Sequence, residues 1–281
     1  MKLKFSKMHG TGNDYIYVNG FTEKIENPSK TSIELSKPHF SIGSDGLIIV
    51  APSDVADVRM IMFNNDGSEG KMCGNGIRCV AKYAYDHKLT DKQVMTVETA
   101  SGIKTIEVTV DENDKVTYVK VDMGKAILKP ADIPMKADGD TFIAKEIEVD
   151  GKKYVGTAVS MGNPHLVIFT EGIDDLDLDK IGPAFENHEW FPEKVNTEFV
   201  EVIDEHNFKM RVFERGTGET MSCGTGTCAV TVAAVLNNYA KYGEEVNIHI
   251  PGGVLKDTYY EDGTVVMKGM ATHIFDGEIE I

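Results

Sequence analysis

Laid beside itself at an offset of 150 residues, the 281-residue chain matches its own second half. Cys73 falls on Cys223, Gly74 and Gly76 on Gly224 and Gly226, Phe63 on Phe213, and Glu69 on Glu219. Over 63–76 against 213–226, five of fourteen positions are identical without a gap. The same offset sets Gly12-Asn13 on Gly162-Asn163, each followed by a hydrophobic run, and Gly46–Val50 on Asn196–Val200. A solenoid repeats every 20–50 residues, so a period this long reads as two homologous domains instead. Two is also the number that the length suggests. A chain with matched halves is expected to face its matched segments across a cleft.

The helices follow from this duplication. The strongest helical stretches begin directly after the two Cys-Gly-x-Gly segments, at Ile77–Leu89 and Thr227–Ala240. The second is apolar nearly all round from Cys228 to Leu236. A helix without a polar face has to be buried on every side. Ser29–Lys37 and Leu178–Asn187 are weaker candidates. Elsewhere short strand-like runs dominate, including Leu3–Met8, Asp14–Asn19, Leu47–Ala51, Val58–Phe63, Ile103–Val110, Val116–Val121 and Phe142–Val149. Asp150-Gly151 and Asp262-Gly263 read as hairpin turns. The expected fold is therefore α/β (α+β): two pseudo-symmetric domains, each a curved, mostly antiparallel sheet around one central buried helix.

Composition excludes several functions. With 29 basic against 45 acidic residues the formal charge is −16. Phosphate and anionic-lipid partners need clustered cations, so neither a nucleic-acid nor a membrane partner is expected. No run approaches the ~20 apolar residues of a membrane span, and the first residues carry no signal-peptide pattern. The expected compartment is the cytoplasm, where structural disulfides are rare. The four cysteines, spaced C-x5-C and C-x4-C, do not form the C-x2-C knuckles of a structural zinc site, so no metal is expected. No P-loop or dinucleotide fingerprint suggests a nucleotide cofactor.

The repeated cysteines then carry the chemistry. A helix N-terminus presents free N–H groups and a partial positive charge. Thiols there have pKa values lowered to about 3.5–7.5, and that lowering is expected for Cys73 and Cys223. The following glycines let the backbone approach an anion. Two such sites suit inversion at a carbon beside a carboxylate. One thiolate removes the α-proton, the other thiol protonates the opposite face, and the helix ends hold the carboxylate. Cys79 and Cys228, unmatched by the offset, read as core thiols. His165 stands apart from the other histidines because it lies in a repeated segment.

Read together, eight stretches resemble one family: Met8–Asp14, Phe63–Glu69, Cys73–Cys79, Ser160–His165, Glu214–Thr220, Cys223–Ala229, Pro251–Gly253 and Ala271–Gly277. Their order and spacing are similar to those of the diaminopimelate epimerases, which are cofactor-independent. The resemblance implies interconversion of L,L- and meso-diaminopimelate, serving lysine and peptidoglycan precursor synthesis. It implies Cys73 and Cys223 as the acid/base pair. The amides of Gly74, Asn75, Gly224 and Thr225 would hold the reacting carboxylate. Asn13, Asn64, Asn163, Asn196, Glu214 and Arg215 would hold the rest of the substrate, with His165 an active-site neighbour. Gly46 stands where some members have Gln, and no side-chain role is assigned there. The implied domains are 1–122 plus 268–281, and 123–267, in a homodimer. Two other readings stay open: a proline or hydroxyproline racemase-like enzyme, and a non-catalytic thiol or amino-acid-binding module.

Overall fold

The computed structural model describes residues 2–281. It divides into two compact units. One runs to Val121 and takes in Lys268–Ile281; the other is Asp122–Met267.

The first unit contains β1 (Lys2–Gly10), β2 (Asn13–Asn19), α1 (Pro28–Leu35), β3 (Gly46–Ala51), β4 (Val58–Asn64), β5 (Glu69–Gly70), α2 (Gly74–Asp86), β6 (Val94–Thr99), β7 (Gly102–Val110) and β8 (Val116–Lys125). After β9 (Lys145–Val149) the second unit repeats that order: β10 (Lys152–Ser160), β11 (Pro164–Phe169), α3 (Leu178–Glu186), β12 (Asn196–Asp204), β13 (Asn207–Glu214), β14 (Gly218–Thr220), α4 (Gly224–Leu236), β15 (Glu245–Ile250), β16 (Gly253–Tyr259) and β17 (Thr264–Gly269). The chain closes with β18 (Thr272–Glu280).

The duplication holds at the level of strand register. In the first unit β2 pairs parallel with β3, β3 antiparallel with β4, and β4 antiparallel with β5 and parallel with β6. In the second, β11, β12, β13, β14 and β15 pair in the same senses. Leu47 faces Phe63 as Thr197 faces Phe213, and Phe63 faces Glu69 as Phe213 faces Glu219. From β6 onward the offset becomes 151: Thr99 pairs with Gly102 as Ile250 pairs with Gly253. The outer edge is closed differently in the two units. β10 is covered by the hairpin strand β9, whose turn is Asp150-Gly151. β1 is covered instead by β18, which pairs along it from Lys2–Glu280 to His9–Thr272. An edge strand left open is a template for unwanted pairing, so both solutions protect the same position.

Each sheet curves about its helix. α2 packs against β1, β2, β3, β4, β6 and β7, and α4 against β10, β11, β12, β15 and β16. Val230, Val232, Ala233, Ala234 and Cys228 are completely buried. The two helices start at Gly74 and Gly224, three residues before the sequence reading, because glycine is a poor helix former. Both stop sooner than predicted. Lys88 (φ 58°) and Asn238 (φ 63°), again 150 apart, adopt the left-handed conformation that terminates a helix. The predicted strand over 142–149 begins only at Lys145. β5, β6, β14 and β16 were not predicted: the first and third are two or three residues long, too short for an alternating pattern.

Candidate active site

Each Cys-Gly-x-Gly segment folds into the same cap. Cys73 and Cys223 are N-cap residues in extended conformation, and each sulfur accepts the N–H of the third following residue. Gly76 N to Cys73 Sγ and Gly226 N to Cys223 Sγ are both 3.3 Å. A sulfur here stands in for the oxygen of a usual capping residue. Gly226 is confined by its neighbours: an added Cβ would lie 2.8 Å from Glu198 Oε1 and 3.2 Å from Cys223 Sγ.

The expected lowering of the thiol pKa values is not what the structure gives. Burial pushes the Cys73 thiol above its ordinary range, and the N–H groups of Gly76 and Asn75 and the Arg78 charge only partly offset this. Cys223 is pushed well above it by burial, then by the charges of Glu214 and Glu198. Desolvation of the anion outweighs the helix end in both units.

Around Cys73 the first unit gathers Asn13, Tyr15 and Asn75. The thiol donates to Asn13 Oδ1 at 3.3 Å, and Asn13 Nδ2 donates to Asp45 Oδ2 at 2.6 Å. Tyr15 lies beside the sulfur and its hydroxyl is held well above the usual phenol range by burial and by the Cys73 and Asp45 charges. Asn75 Oδ1 accepts from Arg78 Nη2 at 2.9 Å and from Thr11 Oγ1 at 3.2 Å. Arg78 is completely buried and also donates to the carbonyls of Gly74 (3.2 Å) and Met270 (3.3 Å). It therefore ties the start of α2 to the β1–β2 turn. Asn64 sits apart, donating to Ser68 Oγ at 2.9 Å in the β4–β5 turn. Gly46, opposite Asn64, has no room for a side chain: a Cβ would lie 2.1 Å from the Phe63 carbonyl oxygen.

The second unit places Asn163, His165, Glu214 and Thr225 about Cys223. Asn163 Nδ2 donates to Thr225 Oγ1 at 3.3 Å, and Thr225 Oγ1 is 3.5 Å from Cys223 Sγ. His165 Nε2 is 3.1 Å from Asn163 Oδ1, and its Nδ1 is 2.7 Å from Glu198 Oε1. Glu214 accepts from the Thr220 hydroxyl, and burial raises its carboxyl above the usual range. Asn196 is a bracket: it donates to the Pro164 carbonyl at 2.9 Å and accepts the Arg215 N–H at 3.0 Å. The Arg215 guanidinium donates to the Glu193 carbonyl at 3.0 Å. Gly224 is buried at the first helical position.

Tyr15, Asp45, Arg78 and Glu198 escaped the sequence reading. Glu198 had a signal, since Asn196 and Glu198 are two apart on a strand and share one face. Tyr15 had one too, since the offset sets it on His165; Asp45 had none. Among the described residues, His165, Glu198 and Cys223 form one group of metal-ligand types, their ligand atoms within 4.8 Å of one another. The hydrogen bond between the first two already uses an atom of each. Cys79 and Cys228 are buried inside α2 and α4.

Comparisons with known proteins identify the family. The sequence profile of the family described as "Diaminopimelate epimerase" matches residues 5–129 and 157–274. A diaminopimelate epimerase of Methanococcus maripaludis is 53% identical over 280 residues, covering 99% of this chain and 100% of its own. One from Bacillus cytotoxicus is 52% identical over 282 residues, covering 99% and 98%. Among solved structures, a Bacillus anthracis phenazine biosynthesis protein of the PhzF family superposes with a TM-score of 0.69 at 18% identity, covering all of both chains. An Agrobacterium vitis hydroxyproline epimerase does so at 0.68 and 13%, covering 99% of this chain and 91% of its own. At such identities these two show a shared fold only. The family match spans both Cys-Gly-x-Gly segments and the relatives match end to end: the chain belongs to the diaminopimelate epimerase family.

Proposed function

We propose that this epimerase interconverts L,L- and meso-diaminopimelate with Cys73 and Cys223 as its two bases. One sulfur, as thiolate, takes the α-proton from one face; the other, as thiol, delivers a proton to the opposite face. The free N–H groups at the starts of α2 and α4, among them those of Gly74, Asn75, Gly224 and Thr225, stabilise charge developing on the α-carboxylate. The observation that carries this reading is the duplicated sulfur cap, with the same 3.3 Å N–H contact in both units. Asn13, Asn64, Asn163 and Asn196 supply neutral donors and acceptors to a zwitterion. Glu214 accepts from the distal ammonium and Arg215 pairs with the distal carboxylate. His165 neighbours the reacting centre.

A raised thiol pKa suits the reaction. It keeps the sulfur that acts as the acid protonated, and the sulfur that acts as the base is the stronger base once it has shed its proton. No cofactor is called for by this chemistry. No helix among the described residues is long and apolar enough to cross a membrane. A cytoplasmic homodimer of the 30.9 kDa chain completes the reading, and sedimentation gives its mass directly.

The test is exchange in deuterium oxide. The reduced enzyme incorporates deuterium at the α-carbon of diaminopimelate, and Cys73→Ala and Cys223→Ala each abolish inversion. Full inversion by either variant would remove the two-base mechanism. Equal exchange into proline would redirect the substrate assignment.

A further inference from the structure

Glu198 is a charged residue in the middle of a strand, completely buried together with His165. Its Oε1 meets His165 Nδ1, while its Oε2 has no hydrogen-bond partner. A buried carboxylate oxygen without a partner costs on the order of kilocalories, so some function for the residue is to be sought. The hydrogen bonds leading away from it have a direction. Asn163 Nδ2 donates to Thr225 Oγ1, so Asn163 presents its oxygen to His165. That oxygen can only accept, so His165 Nε2 carries a proton and donates. Thr225 Oγ1, having accepted from Asn163, keeps its own proton for the Cys223 sulfur 3.5 Å away, which as a thiolate can only accept. The groups that face this ring are Glu198 from β12, Glu214 from β13 and Cys223 at the start of α4.

We propose that Glu198 is a positioning residue: by anchoring His165 it fixes the direction of a hydrogen-bond chain, through Asn163 and Thr225, that ends with a hydroxyl donating to Cys223 when that sulfur is a thiolate. The 2.7 Å hydrogen bond to His165 turns Oε1 of Glu198 to the imidazole, so the residue acts on the sulfur through the direction of the chain as well as through its charge. The first unit has no such chain, because Tyr15 and Ile48 occupy the positions of His165 and Glu198. The proposal rests on Cys223 serving as an acid/base group, but its test reads the sulfur itself.

The experiment measures alkylation of Cys223 and Cys73 by iodoacetamide at pH 8, quantified by mass spectrometry, beside kcat and KM. Glu198→Ile, the residue of the first unit, slows Cys223 alkylation and kcat roughly tenfold each, the worth of a hydrogen bond to a charged group. It leaves Cys73 alkylation and KM within about twofold. Glu198→Gln, whose amide can hold Nδ1 by donating to it, restores both rates to within about threefold of the parent. Thr225→Val slows Cys223 alkylation comparably, and the double variant Glu198→Ile/Thr225→Val is no slower than Thr225→Val alone. Were Glu198 merely a nearby negative charge, its removal would speed Cys223 alkylation; that result overturns the proposal. So do additive effects in the double variant, or equal slowing of Cys73, which signals general loosening. If the cysteine variants keep inversion while this pattern of alkylation holds, the acid/base reading fails and the positioning chain stands.

Discussion

At Cys73 the Arg78 charge and the Tyr15 hydroxyl favour the thiolate, whereas at Cys223 the carboxylates of Glu214 and Glu198 oppose it. The backbone around the two sulfurs is one motif used twice. The side chains differ position by position: Tyr15 against His165, Gly46 against Asn196, Ile48 against Glu198, Asn64 against Glu214, and Arg78 against Cys228. A duplicated scaffold fixes where a thiol sits; the neighbours set how readily it ionises. The second unit also holds the charged substrate-type groups Glu214 and Arg215 where the first has asparagines.

The pair Gly46 and Asn196 offers the largest break in this symmetry. Gly46→Asn drives a Cβ against the Phe63 carbonyl, and backbone cannot yield as a flexible side chain does. A loss of at least about 3 kcal/mol is expected, read as a lowered urea midpoint. A neutral result would mean that the strands part easily and that the close approach is not a constraint. Next comes Arg78→Met, which removes the side-chain donor to the Gly74 and Met270 carbonyls and one of the donors to Asn75 Oδ1, which keeps that of Thr11. Each buried acceptor so stranded costs about 1–3 kcal/mol, and about 3 kcal/mol in total is expected after relaxation. The same variant slows Cys73 alkylation and leaves Cys223 alone; equal slowing of both would dissolve the assignment of Arg78 to one sulfur. Asn196→Gly gives the second unit the glycine of the first. Losing its bonds to Pro164 and Arg215 and adding strand flexibility costs about 2 kcal/mol. It raises KM more than it lowers kcat, because Arg215 is loosened while the sulfur cap is untouched.

Much of this fold was legible because the duplication constrains it twice. The offset located both caps, and an apolar helix such as 228–236 has nowhere to be but inside a curved sheet. The grouping about each sulfur was legible where backbone and chemistry coincide: Asn13 beside Cys73, and Asn163 and Thr225 beside Cys223. It was not legible where chemistry comes from burial. Nothing in the sequence says that desolvation will exceed the pull of a helix end on a thiol. Nor does the run Ile77-Arg78-Cys79 show that its arginine points into protein and binds Met270, 192 residues away. Glu198 shares a strand face with Asn196, but only the structure shows that this face buries it against His165.

Glu214→Gln has the smallest expected effect and the clearest sign. Glu214 is the larger of the two charges that raise the Cys223 thiol, after burial itself. Glutamine keeps the acceptor for Thr220 and removes the charge. Its loss lowers the Cys223 pKa, so at any pH below that pKa a larger fraction is thiolate. Each unit of lowering multiplies that fraction about tenfold. Cys223 alkylation at pH 8 is therefore expected to accelerate by up to about tenfold in Glu214→Gln, while Cys73 alkylation stays unchanged. In the parent, Cys73 is alkylated first: it is partly exposed, whereas Cys223 is buried beside the Glu214 carboxylate. The variant narrows that gap, yet inversion slows, because the distal ammonium loses its acceptor. A faster thiol in a slower enzyme separates the two duties of Glu214. If Cys223 alkylation instead slows, the carboxylate is not what holds this thiol protonated, and the contrast between the two sulfurs must come from burial alone.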